Sequence, residues 1–238
     1  MFSRLDWMTI TPRIIVDMGC GVGNMSARLQ TRYGDANVLA LDLSLPMVQL
    51  ARQESPHIAH VCADAGILPL AHQSVDLIFA NFLLPWHADF SALGREWRRV
   101  LRPGGILMFT ALGPDSFKEW RTLFSQDDLP TLIDMHDIGD LLLQEGFADP
   151  VLDINYYTMT YRAQAHLFHE LRASGMLVPG SKQPIDAIAP SEDGTWPVTY
   201  EVIYAHAFAP ADHVEVSASP DGIVRVPLAH LRRKLTTE

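Results

Sequence analysis

Residues 13–24 read R-I-I-V-D-M-G-C-G-V-G-N. A nearly uninterrupted apolar run meets three alternating glycines, Gly19, Gly21 and Gly23, and Asn24 then opens a more polar stretch. A run that is apolar on both faces has the pattern of a parallel strand buried between two layers. Glycines in the turn after it permit left-handed backbone and leave bare main chain for a ligand to lie against. A dinucleotide fingerprint would need glycine or alanine at the sixth motif position, where this chain has Asn24, so a pyrophosphate-binding turn is a poor match.

The pattern repeats outward from that turn. Apolar runs at 38–43, 58–62, 75–80 and 106–112 read as four more strands, and helices are expected over 24–33, 44–54 and 89–101. The R-P-G-G at 102–105 reads as a turn into the fifth strand. Five strands in about 110 residues, joined by helical crossovers, imply a doubly wound α/β sheet. Beyond it, helices are expected near 115–124, 136–145 and 163–174, strands at 151–161 and 198–208, and a loop over 178–197. The expectation is a single domain over 1–238: a ligand-binding half (1–113), an acceptor-side half (114–210) and a tail (211–238).

Open α/β sheets bind ligands at the C-terminal ends of their strands. Asp42 stands there, about 20 residues past the glycine turn, where a carboxylate accepts both hydroxyls of a ribose. Asp64 follows the third strand and suits a base amino group, with Ala65 donating from its backbone. Asn81 follows the fourth strand. Each alone reads equally as an exposed turn residue; together, in this order, they outline a site. Asp76 begins a strand, at the wrong end, and reads as structural.

The formal charge of −10 excludes broad polyanion binding, and nucleic acid with it. With 48% hydrophobic and 19% charged residues, a packed core is expected rather than disorder. No apolar run reaches the ~20 residues of a membrane span, and the first ten residues show no secretory pattern. Two cysteines, Cys20 and Cys62, are too few for a disulfide scaffold and suit a reducing cytoplasm. His57, His60 and Cys62 lack a fourth ligand, so no metal is expected. Residues 122–161 hold eight acidic side chains and no Lys or Arg, whereas 90–121 is net basic. Arg95, Arg98, Arg99 and Arg102 there read as a solvated helix or as a docking patch for an acidic partner.

The G-x-G-x-G spacing resembles class I S-adenosylmethionine-dependent methyltransferases, and the L-R-P-G-G at 101–105 is frequent among them. Four stretches narrow the resemblance to the biotin-pathway malonyl-[acyl-carrier-protein] O-methyltransferases. These are L-D-L-S-L-P-M-V-Q-L-A-R at 41–52, A-N-F-L-L-P-W at 80–86, T-A-L-G-P-D-S-F-K-E-W-R at 110–121 and Y-E-V-I-Y-A-H-A-F at 200–208. Mitochondrial complex I assembly factors share the cofactor half. The resemblance implies a Rossmann-like, seven-stranded, mostly parallel sheet with an insertion before the last strand. It implies S-adenosylmethionine as cofactor, held by Asp17, Gly19, Gly21, Gly23, Asp42, Leu43, Met47, Asp64, Ala65 and Asn81. It also implies malonyl-acyl carrier protein as partner, with a monomer favoured. The family pattern places ~35–40 residues ahead of the first strand as a cover over the cofactor; here that strand starts about a dozen residues from Met1.

A malonyl carboxylate is already ionised at neutral pH and needs no general base, only a cation to hold it. Arg121 is the expected clamp, Arg172 the alternative, and Trp86 the expected wall of the acceptor pocket. Tyr204 and His206 share one face of the last strand and are further candidates. Two other readings stay open. One is methylation of another small acceptor, such as a quinone precursor, with His87 or His206 as base; the other is a non-catalytic, cofactor-binding assembly protein.

Overall fold

A computed structural model describes residues 1–87, 89–121, 129, 131–177 and 189–211. The run that precedes the glycines is β1 (Ile14–Met18), followed by α1 (Asn24–Arg32), β2 (Asn37–Asp42), α2 (Leu45–Glu54) and β3 (Ala59–Cys62). Then come β4 (Val75–Asn81), α3 (Phe90–Val100), β5 (Leu101–Leu112), α4 (Met135–Gln144), β6 (Ala148–Tyr161), α5 (Gln164–Ala173) and β7 (Trp196–Phe208). The strands form one seven-stranded sheet in the order β3-β2-β1-β4-β5-β7-β6. β1 to β5 pair in parallel, and β7 runs antiparallel between β5 and β6. The insertion before the last strand is the connection that carries α5.

Layer packing follows side-chain period. In α3, Phe90, Leu93, Gly94, Trp97 and Val100 are buried, a helical stripe, and the Asp89 side chain caps the helix by accepting from the Ala92 N–H at 2.8 Å. Trp97 packs at 6.0 Å on Phe109 of β5 and edge-on to Phe90. On the sheet's other face, Leu77, Phe79, Ile106 and Met108 join Leu29 of α1. Alternate residues of the same strands thus fill two separate cores, which is why 77–80 and 106–109 are apolar throughout.

Two expectations give way. The R-P-G-G at 102–105 does not precede β5; it is a bulge within it. Val75 pairs with Leu101 and Leu77 with Ile106, so residues 102–105 stand opposite Asp76 alone. Gly104 has φ +75°, and the bulge is tied to the chain after β7 through Gly104 N–H to Ala209 O (2.9 Å) and Ala209 N–H to Gly105 O (2.8 Å). Asp76 lies under the bulge, accepting from the N–H groups of Arg13 and Ile14 at 2.8 Å and pairing with Arg102 at 2.6 Å. That contact set is structural, as its position at the start of β4 suggested.

The helix expected near 115–124 is absent over its described part, which consists of turns. Phe117 adopts φ +60°, which no helix allows, and its N–H donates to Thr199 O of β7 at 2.7 Å. Glu119 accepts from the Thr199 N–H at 3.0 Å, and the Trp120 indole donates to Pro197 O at 2.6 Å. Bonds to a distant strand outcompete local helix formation here. Residues 122–124, the loop over 178–188 and the tail from 212 lie outside the described residues.

The segment before β1 forms a 3-10 helix (Phe2–Trp7) on the α1 face of the sheet. Leu5 is buried among Ile15, Leu77 and Met108. Arg4 makes a bidentate 2.6 Å pair with Asp153 and stacks 4.0 Å over the Tyr204 ring. The α3 arginines are likewise engaged: Arg95 with Glu145 (3.3 Å), Arg98 with Gly146 O (3.3 Å) and Arg99 with Glu96 (2.7 Å). Together with Arg102, these cations hold the fold together, which favours the bland reading of that cluster. Among the described residues no helix is long and apolar enough to cross a membrane, and no three potential ligands gather as a metal site.

Candidate active site

Parallel strands joined by right-handed crossovers present successive loops at one edge of the sheet. At that edge lies a cavity of about 870 Å³. The turn after β1 contributes Gly19 and Gly21, and β2 with α2 contributes Asp42, Leu43, Ser44 and Met47. Asp64 and Ala65 come from the loop after β3, Asn81 and Phe82 from the end of β4, and Trp86 and His87 from the following turn. Across from them, Arg172 and the residues up to Met176 come from the end of α5.

All three loop glycines have positive φ, but each for its own reason. A Cβ on Gly19 would sit 3.0 Å from Leu83, and one on Gly23 would sit 3.0 Å from Ala51 of α2. A Cβ on Gly21 would meet nothing within 4 Å. Gly21 therefore presents open space to the cavity, whereas Gly23 lets α1 approach α2 and does not line it. The Gly21 N–H donates to Asp42 Oδ2 at 2.9 Å and the Ser44 N–H to Oδ1 at 2.8 Å. Each Asp42 oxygen is fixed by one donor and keeps acceptor capacity for a ligand.

Asp17 also lies outside the lining. It is buried beneath the loop and accepts from the Ser26 hydroxyl of α1 at 2.5 Å. Burial pushes its carboxyl up to about 6, against the opposing pull of Ser26. Because the folded value exceeds the unfolded one, this group contributes most to stability at low pH, and the contribution is lost as pH rises from about 4 to about 6. The stability of the unliganded protein relative to Asp17→Asn should therefore fall across that window, by on the order of 2–3 kcal/mol, and level off above it. Urea unfolding of both proteins from pH 4 to 7.5 checks this.

Thr110 of β5 went unnoticed in the sequence. It is buried, donates to Asn81 Oδ1 at 3.0 Å and accepts from the Phe82 N–H at 3.0 Å. Phe82 holds φ +56°, a costly conformation for a non-glycine residue, next to the cavity. Thr110→Val keeps the shape and removes both bonds. It should cost about 1–3 kcal/mol in denaturant unfolding, with Thr110→Ser close to the parent.

Of the acceptor-side candidates, Trp86 and Arg172 line the cavity and Arg121 does not. Arg121 is exposed and donates to Pro114 O. Without the expected helix, its segment turns back on itself. Tyr204 and His206 are also outside: Tyr204 lies under Arg4 and meets the Tyr157 hydroxyl at 2.9 Å. Gly175, with φ +72°, is where the chain after α5 crosses the Trp86 ring; a Cβ there would fall 1.6 Å from the indole. Only the long-range placement of α5 brings Gly175 and Met176 to the site, and no local spacing marks them.

The sheet order with its antiparallel seventh strand, and a glycine loop at the cavity, define a class I, Rossmann-like S-adenosylmethionine-dependent methyltransferase. Residues 16–109 match the methyltransferase domain family model. A solved methyltransferase from Methanosarcina mazei superposes with a TM-score of 0.62 at 14% identity, over 89% of this chain and 99% of that one. Phosphoethanolamine N-methyltransferase 2 of Haemonchus contortus, solved with phosphomonomethylethanolamine and S-adenosylhomocysteine, gives 0.57 at 19% identity, over 88% and 51%. In sequence, the chain is 38% identical over 249 residues to the malonyl-[acyl-carrier protein] O-methyltransferase of Methylovorus sp. strain MP688, covering 94% of this chain and 83% of that protein. The chain belongs to the malonyl-[acyl-carrier protein] O-methyltransferase family.

Proposed function

We propose that this chain methylates the free carboxylate of a malonyl group on acyl carrier protein, with S-adenosylmethionine as donor. The family supports the reaction. The observation that carries the acceptor class is Arg172, the one Arg or Lys among the described residues that line the cavity. Arg172 and not Arg121 is therefore the clamp in this reading.

The cavity suits the donor. The open cradle at Gly21 accommodates a ligand against bare backbone, and the anchored Asp42 takes a ribose diol. Asp64 and the Ala65 N–H would meet an adenine edge, Leu43 and Met47 would flank the ring, and Gly19 and Asn81 would hold the amino-acid end; all of them line the cavity. Asp17 and Gly23 shape the loop from behind. When bound, the donor supplies a methyl group already activated on a sulfonium.

The protein's own work is then positioning. A malonate half-thioester carboxylate is ionised at neutral pH, so no residue has to remove a proton. Arg172 offers a forked donor that fixes the carboxylate's direction. Trp86, lying against Gly175 and still 58% exposed, offers one wall on the acceptor side and so helps orient the two reactants for in-line transfer. Masking the charge lets fatty-acid enzymes elongate the chain as an apolar one, the role in biotin synthesis that the family resemblance implies, in the cytoplasm.

The test is transfer of labelled methyl from S-adenosylmethionine to malonyl-acyl carrier protein, with acetyl-acyl carrier protein as control. A base-labile methyl ester on the malonyl carrier alone is expected. Labelling of neither, by a protein that binds S-adenosylhomocysteine, would sink the acceptor assignment.

A further inference from the structure

His87 has no part in the reaction as described, yet it lies inside the cavity against a carboxylate. Its Nε2 stands 3.4 Å from Asp64 Oδ1, and the Gly66 N–H donates to that same oxygen at 2.8 Å. The three groups are tightly fitted: a Cβ on Gly66 would lie 3.0 Å from His87 Nε2 and 3.4 Å from Asp64 Oδ1. Among the described residues, His87 Nδ1 is buried without a hydrogen-bond partner. The 3.4 Å approach to Asp64, a charge-pair distance rather than a hydrogen bond, is thus the ring's only polar engagement among the described residues, and a proton on Nε2 makes it attractive.

Both known contacts fall on one oxygen. Oδ1 is bonded by the Gly66 N–H of the loop after β3 and approached by His87 of the turn after β4, and among the described residues no contact to Oδ2 is shown. A carboxylate oxygen can only accept, so a fixed Oδ2 favours a ligand that donates there. We infer that His87 is a positioning residue: with the Gly66 N–H it holds Asp64 so that the cavity selects a 6-aminopurine over a 6-oxopurine nucleoside. The inference rests on the donor reading above. A 6-oxo group sets an acceptor against an acceptor, and buried sites built to bond one group reject the ligand that lacks it strongly.

The chemistry also explains why glycine stands at position 66. Any larger residue would push the imidazole from the carboxylate or tilt the carboxylate itself. The ring belongs to the same turn as Trp86, so the base-reading end of the cavity and the acceptor wall are built on neighbouring residues.

Calorimetric dissociation constants of S-adenosylhomocysteine and S-inosylhomocysteine test this without turnover. The parent protein should prefer the adenosine ligand by about 100-fold or more. His87→Ala should weaken S-adenosylhomocysteine by roughly 10-fold and shrink the preference by a similar factor, because the carboxylate is free to rotate. His87→Gln, whose amide donates to Asp64, should recover most of the preference, a rescue that mere loop packing would not produce. An unchanged preference in His87→Ala, or a lost one in His87→Gln, would overturn the role of His87. A parent protein that binds neither ligand would overturn the donor reading itself, and this inference with it.

Discussion

Arg172→Ala is expected to lower kcat/KM for malonyl-acyl carrier protein by roughly 10²–10³-fold while leaving the affinity for S-adenosylhomocysteine within about twofold. The argument is one of charge and place. The cavity is lined mainly by apolar side chains and by acceptors, with Asp42 and Asp64 at the strand ends. A third carboxylate brought into such a space is repelled unless a cation meets it. In the proposed reading Arg172, on α5 and in the cavity lining, is that cation. Removing it leaves the incoming carboxylate without a cation in a cavity that already holds Asp42 and Asp64. Arg172→Lys keeps the charge and loses the fork, so an intermediate rate is expected. Arg121→Ala, on a side chain outside the cavity, should change kcat/KM by less than about threefold. Steady-state methylation measured with all three variants separates the two arginines that the sequence left in competition.

Gly21→Val should abolish measurable donor binding, a loss of 100-fold or more in affinity for S-adenosylhomocysteine, while the protein stays folded. Two effects add. The φ of +54° is poor for any side chain and worst for a β-branched one, at about 1–2 kcal/mol. The side chain also meets no protein atom within 4 Å, because it grows into the space the ligand needs. In a chain of this size, the strain corresponds to a melting point lower by only a few degrees. Gly23→Ala provides the contrast. Its Cβ would press on Ala51 at 3.0 Å, so it should lower stability more than it lowers affinity. Thermal melts and calorimetry on the pair distinguish a glycine kept for the ligand from one kept for packing.

That contrast shows where sequence reading succeeds. Gly19, Gly21, Asp42, Asp64 and Asn81 could be found because each ends or follows a strand recognisable in the sequence, and crossover handedness brings such positions to one edge. Spacing could not assign the third glycine to packing, since Ala51 becomes its neighbour only once α2 has folded back. The same limit accounts for Arg121. A helix over 115–124 was a fair local expectation, but the Phe117 N–H and Glu119 bond to Thr199, some eighty residues on, and the helix yields. The R-P-G-G turn was correctly seen as a break, yet only the pairing of Val75 with Leu101 shows that the strand begins before it. Thr110 and Gly175 carry no signal at all, because each matters through one contact made across the fold.

The antiparallel ladder between β6 and β7 has a consequence for how such a protein can change. It pairs Tyr161 with Trp196 and runs from there to the far end of both strands. The two ends of the connection that carries α5 are therefore pinned side by side whatever lies between them. Closing a loop whose ends are already held grows only slowly with its length, by about 0.6 kcal/mol for each doubling. Exposed positions of that connection, such as Arg172 and Ser174, can thus be exchanged with little effect on folding, whereas Leu167, Phe168 and Leu171 are held in a buried cluster with Trp120. The donor's contacts enjoy no such freedom, because they sit on turns whose every residue is set by the strands beneath. One sheet in this way holds a conservative pocket and an experimental one, and new acceptors are expected to arise through the second.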